Sequence, residues 1–205
     1  MKLKVCGLSN QIEVETCVNN GVNYCGFILN YPRSHRYISF NQANSLTQIN
    51  KKNSKYVGVL VSPSNKELEK FSLLNLDFFQ IYGNYDSKSL LEIKRKFKKK
   101  IIYALQIKKK EDVEMYKAVE NGSDILLWDS SGYEDSISWN YEWIKTISVK
   151  TEKMIAGNIT IDKLNNISKL AEIIDVSGAL ETNKVKDIYK IKKFIDQVKK
   201  INDKN

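Results

Sequence analysis

The 205-residue chain has one histidine, two prolines and three cysteines, and each scarcity closes off a class of chemistry. A single imidazole, His35, excludes multi-histidine metal centres and argues against a Ser-His-Asp arrangement. Cys6, Cys17 and Cys25 are odd in number and unclustered, so they suggest neither a disulfide framework nor a zinc site. A reducing cytoplasm is the expected compartment. No apolar run approaches ~18 residues, so no membrane span is expected. The first residues enter a strand pattern with no signal-peptide pattern before them. Neither a Walker loop nor a GxGxxG occurs, which removes the standard nucleotide-binding loops. No cofactor and no metal are expected.

What the chain does contain is ordinary apolar content, 42%, and 28% charged residues with a net charge of +9. These fractions suit a globular protein, here a single domain over residues 1–205. The densest basic run, Lys94 to Lys100, falls at the expected end of a helix, where cations complement the macrodipole. The lysines therefore read as a solvated surface rather than a nucleic-acid face. A small anionic substrate would still be attracted.

Along the chain a strand pattern and a helix pattern alternate. Strands are expected at 2–6, 24–28, 56–61, 77–81, 100–105, 124–128, 153–156 and 173–176. Helices are expected at 9–20, 39–51, 64–74, 86–97, 111–121, 141–148, 161–170 and 186–200, leaving 202–205 frayed. Strict alternation implies right-handed crossovers and parallel strands. Eight units are more than the five or six of an open doubly wound sheet, and they can close a (β/α)8 TIM barrel.

In such a barrel the chemistry sits at the carboxyl ends of the strands. Cys6 ends the first strand, and Lys2, Lys4 and Cys6 share one face by the period of two. Lys4 and a following helix amino terminus would favour the thiolate. Asp129 follows the sixth strand and could act as the acid opposite a Cys6 base, given a raised pKa. Arg36, in the second loop, suits a planar carboxylate. Gln80 and Tyr82 follow the fourth strand. Gly157-Asn158 and Ser177-Gly178-Ala179 follow the seventh and eighth, where small residues let backbone N–H groups approach an anion. The residues alone leave open a merely buried Cys6, a capping Asp129, a solvated Arg36 and glycines that only make turns. Lys4 and Asp175 are expected to pair.

The segments KVCG (4–7), GFILNYPRSHRYIS (26–39), VGVLV (57–61) and QIYG (80–83) continue with LLWD (126–129), IAGNIT (155–160), DVSGALET (175–182) and VKD (185–187). In this order, one per unit, they resemble the phosphoribosylanthranilate isomerases of tryptophan biosynthesis. The resemblance implies a cofactor-free Amadori rearrangement of a small phosphorylated substrate by a monomer or homodimer. It gives Cys6 as general base, Asp129 as general acid, Arg36 as the anthranilate-carboxylate ligand, and Gly157, Asn158, Ser177, Gly178 and Ala179 as the phosphate site, with Gln80 also at the substrate. Departures from the family pattern are His35 in the second loop, Tyr82 in the fourth, Asn158 in the seventh, Gly178 shifted in the eighth, and a shorter stretch from Ser130 to Trp139. The alternatives are another phosphosugar isomerase or epimerase, such as the Amadori isomerase of histidine biosynthesis, and a non-catalytic barrel that binds a phospho-ligand or RNA.

Overall fold

The computed structural model describes residues 1–130 and 137–204. Eight parallel strands close a barrel in chain order: β1 (Lys2–Cys6), β2 (Tyr24–Ile28), β3 (Lys55–Val61), β4 (Phe78–Tyr82), β5 (Lys100–Ile107), β6 (Ile125–Ser130), β7 (Glu152–Ile155) and β8 (Ile173–Val176). The seam joins the first strand to the last, with Lys4 opposite Asp175 and Val5 opposite Val176.

The period of two divides each strand between two apolar layers. Tyr24, Val57, Val59, Phe78, Ile102, Ile125, Leu127, Met154 and Ile173 fill the barrel interior. Their neighbours, among them Leu3, Val5, Cys25, Phe79, Ile101, Leu126, Trp128 and Ile174, pack outward against the helices. Both faces being covered, the strands read as nearly continuous apolar runs.

Helices α1 (Gln11–Asn19), α2 (Phe40–Thr47), α3 (Asn65–Ser72) and α4 (Ser87–Phe97) cover the first half of the barrel. Each starts where the sequence supplies a cap: Asn10, Ser39, Ser64 and Asp86 accept from backbone N–H groups of the first turn, and Ser64 with Glu67 forms a full capping box. The α4 stripe Leu90, Ile93 and Phe97 is buried, while Lys94, Arg95 and Lys96 lie in the last turn.

The second half departs from expectation. The segment after β5 is a 3-10 helix over Lys110–Ala118, in which only Val113 is buried, so no apolar stripe anchors longer α-helical turns. Among the described residues after β6, only Tyr141–Ile144 is helical, again 3-10. After β7 a 3-10 turn at Ile161–Lys163 leads into the single turn α5 (Leu164–Ile167). The closing helix α6 (Ile188–Asn202) begins later than expected, capped by Asp187. The residues before it form a hairpin instead, β9 (Glu181–Thr182) and β10 (Val185–Lys186). Its two-residue turn has Asn183 and Lys184 at φ 52° and 63°, the signature of a primed turn. The expected fraying at 202–205 is also limited: Asn202 exchanges hydrogen bonds with Met1 at both its side-chain atoms, and Asn205 lies outside the described residues.

Trp128 is fully buried, and its indole donates to the Val113 carbonyl at 3.1 Å, pinning the 3-10 segment to the strand that ends at Asp129. Trp128→Ala is expected to lower unfolding free energy by about 3–5 kcal/mol, read as a shifted urea midpoint.

Candidate active site

One pocket at the carboxyl end of the barrel is lined by Cys6, Arg36, Tyr82, Asp129, Gly157, Asn158, Asp175, Ser177, Gly178 and Ala179, among others. Eight of the nine site residues that the resemblance implies therefore meet in one place. Gln80 is the exception: it is buried beneath the mouth, and its amide donates to the Tyr82 hydroxyl at 3.1 Å. It reaches the pocket only through that tyrosine.

Cys6 lies beside the buried pair of Lys4 and Asp175, whose Nζ–Oδ2 distance is 2.7 Å. The expected pairing is thus present, and Lys4 is fully enclosed. Burial works against the Lys4 charge, but the Asp175 carboxylate and the neighbouring Cys6 more than offset it, so its pKa is raised. Burial also pushes the Cys6 thiol up; Lys4 opposes this without overcoming it. The expectation of a favoured thiolate is corrected in the free site: the thiol is protonated at neutral pH, and Lys4 reduces the cost of ionising it. Gly26 makes room here, since a Cβ would sit 3.0 Å from Cys6 Sγ and 3.2 Å from Lys4 Nζ.

Across the mouth Asp129 is pushed up to about 6, mainly by burial; the hydrogen bond from Tyr82 acts against the shift. The Tyr82 hydroxyl donates to Asp129 Oδ2 at 2.7 Å, and Asp129 Oδ1 accepts from the Ser130 N–H at 2.7 Å. A carboxyl with a pKa near neutrality can carry a proton into a reaction and give it up.

Arg36 crosses over Gly7, where a Cβ would collide with its Cδ at 2.6 Å and φ is +76°. Its Nε and Nη2 hold Glu181 at 2.5 and 3.0 Å. After β7, Gly157 and Asn158 both take left-handed backbone, φ 102° and 49°, so asparagine sustains the turn. Trp139 and Tyr141 brace this loop by donating to the Ala156 and Gly157 carbonyls. Among the described residues, the N–H groups of Gly157, Asn158, Gly178 and Ala179 take no hydrogen-bond acceptor. Two loops with spare donors thus line one space, the chemistry an oxyanion needs. Of the sixth loop, residues 131–136 lie outside the described residues.

The model of the N-(5'-phosphoribosyl)anthranilate isomerase family matches residues 3–197. The chain belongs to that family. The isomerase of Streptococcus mutans is 36% identical over 97% of this chain and 99% of its own, and that of Streptococcus gordonii 34% identical over 97% of each. The barrel superposes on the phosphoribosylanthranilate isomerase of Thermotoga maritima with a TM-score of 0.82, at 24% identity over 98% and 99% of the two chains. A phosphoribosylanthranilate isomerase in complex with reduced 1-(o-carboxyphenylamino)-1-deoxyribulose 5-phosphate has a TM-score of 0.78, at 23% identity over 98% and 99%.

Sequence reasoning passed over two charged residues beside the pocket, Glu181 and Lys186. The signal was available: Asn183 marks a two-residue hairpin turn, and such a turn sets Glu181 opposite Lys186. It also underrated Tyr82, since a phenol at the strand end reveals nothing until Asp129 is beside it.

The Lys4–Asp175 pair yields a stability prediction. Lys4→Met leaves a buried carboxylate uncompensated and is expected to cost about 3–5 kcal/mol in urea unfolding. Lys4→Met combined with Asp175→Asn is expected to recover a substantial part of that loss.

Proposed function

We propose that this isomerase converts N-(5-phosphoribosyl)anthranilate into 1-(o-carboxyphenylamino)-1-deoxyribulose 5-phosphate, with Asp129 as general acid and Cys6 as general base. The observation that carries the reading is the position of these two groups. They rise from β1 and β6 into one pocket that is also lined by the guanidinium-bearing Arg36 and by two loops with spare backbone N–H donors. A substrate with a carboxylate at one end and a phosphate at the other suits that polarity.

Asp129 gives its proton to the furanose ring oxygen as the C1–O bond breaks, and the anthranilate nitrogen lone pair forms the iminium. The Cys6 thiolate then removes the C2 proton, and the electron pair moves toward the iminium to give an enolamine. Tautomerisation produces the ketone, so the reaction conserves every atom and needs no redox partner. Arg36 holds the anthranilate carboxylate. The loops at Gly157-Asn158 and Ser177-Gly178-Ala179 hold the phosphate, and the attraction of both ends fixes the sugar carbons between acid and base.

The purified protein is expected to consume phosphoribosylanthranilate, followed by the loss of its anthranilate-type fluorescence; no turnover by folded protein overturns the reading. Cys6→Ser replaces the thiol with a far weaker base and is expected to lower kcat by roughly 10²–10⁴-fold with little change in product-analogue affinity.

The pH dependence follows from the two shifts. The productive form carries the proton on Asp129 and not on Cys6, whereas the free site prefers the reverse distribution of that one proton. Below about pH 6 a second proton occupies the pair, and above the raised thiol pKa none remains. The profile of kcat/KM is therefore expected to rise through about pH 6, level off, and fall on the alkaline side. Tyr82→Phe removes a hydrogen bond that favours ionised Asp129, so the acid limb is expected to move up by about one unit.

A further inference from the structure

The hairpin β9–β10 presents two charged side chains that the mechanism above does not use. Glu181 and Lys186 are directly opposed across it, both nearly enclosed, with 8% and 2% side-chain exposure. Neither lines the pocket. Glu181 nevertheless takes both Nε and Nη2 of Arg36, and its Oε1 is shared with Lys186 Nζ. His35 Nε2 stands 3.1 Å from the other oxygen, so every group around this carboxylate is a potential donor. Burial alone would raise the Glu181 pKa; the Arg36 hydrogen bonds and the Lys186 charge outweigh it and pull it down to about 2. Lys186 also donates to the Ser177 hydroxyl and carbonyl at 3.1 and 3.3 Å, and the Ser177 hydroxyl donates to the Cys6 carbonyl at 2.9 Å.

We infer that Glu181 is a positioning residue that holds Arg36 by its back edge and aims it at the substrate carboxylate. The inference rests on the isomerase reading above. A guanidinium has two edges able to grip a carboxylate in a paired fashion. Glu181 occupies the edge formed by Nε and Nη2. Nη1 makes no hydrogen bond among the described residues, and Arg36 itself lines the pocket. The remaining edge is the one a ligand can take.

Holding a cation with an anion would ordinarily cancel the charge that attracts the ligand. Lys186 answers this. Arg36, Lys186 and Glu181 together carry one net positive charge, and a single carboxylate neutralises it. The hairpin therefore fixes the direction of the guanidinium while leaving a monocation to receive a monoanion. Through Ser177 the same lysine ties this end of the pocket to the eighth loop, so the carboxylate and phosphate ends are built on one hydrogen-bonded chain.

The test compares two ligands of wild type and Glu181→Gln by calorimetry. One is 1-(o-carboxyphenylamino)-1-deoxyribulose 5-phosphate, and the other is the same compound lacking the carboxyl group. Without the bridging carboxylate, Arg36 and Lys186 repel each other and the guanidinium loses its aim. Glu181→Gln is expected to weaken the carboxylated ligand about tenfold and leave the other within about twofold. In turnover KM rises while kcat stays within a few-fold. Equal weakening of both ligands, which a structural role would give, overturns the inference; so does no change, or tighter binding of the carboxylated ligand. If Glu181→Gln does not fold, Glu181→Asp keeps the charge but is too short to bridge the same partners, and the same selective loss is expected. Wild type that fails to prefer the carboxylated ligand overturns the isomerase reading itself, and the inference with it.

Discussion

Lys4 and Asp175 meet inside the barrel where its first strand pairs with its last. Almost everything about the site depends on how that ion pair is enclosed. A fully buried ammonium is tolerated only with a partner, so the seam of the barrel is held in the one register that brings these two residues opposite each other. The same ammonium is next to the Cys6 thiol. It therefore closes the fold and also lowers the cost of making a thiolate in an otherwise apolar interior. An apolar pair could have closed the seam as well or better, but it would have removed the cation that most opposes the upward shift of the thiol.

The opposite wall follows the same logic with the sign reversed. Asp129 is enclosed strongly enough to raise its pKa, and Tyr82 limits the rise with one hydrogen bond. Asp129 and Cys6 are thus both buried and both raised, and their protonation states are set against each other by the surroundings of each. The phenol can only donate to the carboxylate here, since burial and the adjacent Asp129 keep it protonated. The position is occupied by a group that adds no second titration near neutrality.

Much of this was readable in the residues. The eight-unit alternation, the caps at Asn10, Ser39, Ser64 and Asp86, and the shared face of Lys4 and Cys6 all come from periods and local hydrogen bonds. Such features act over a few residues and leave a local imprint. The helices of the second half were less legible, because the stretch 110–118 has acceptable helix formers but buries only Val113. Burial is decided by what the segment packs against, and no window of sequence contains that. The start of α6 was misread for a related reason: Val185-Lys186 fits a helix pattern as well as a strand, and the turn at Asn183-Lys184 decided between them.

By itself the sequence determined the barrel, the order of its loops and most of the members of one pocket, since period and alternation leave few ways to arrange eight strands. Tertiary structure alone decided the protonation and aim of the groups in that pocket. The raised Asp129, the thiol held protonated beside Lys4, and Arg36 braced by Glu181 across 145 residues all arise from burial and from pairs distant in the chain. Charge states depend on desolvation and on neighbours a few ångströms away, and both exist only once the chain has closed on itself.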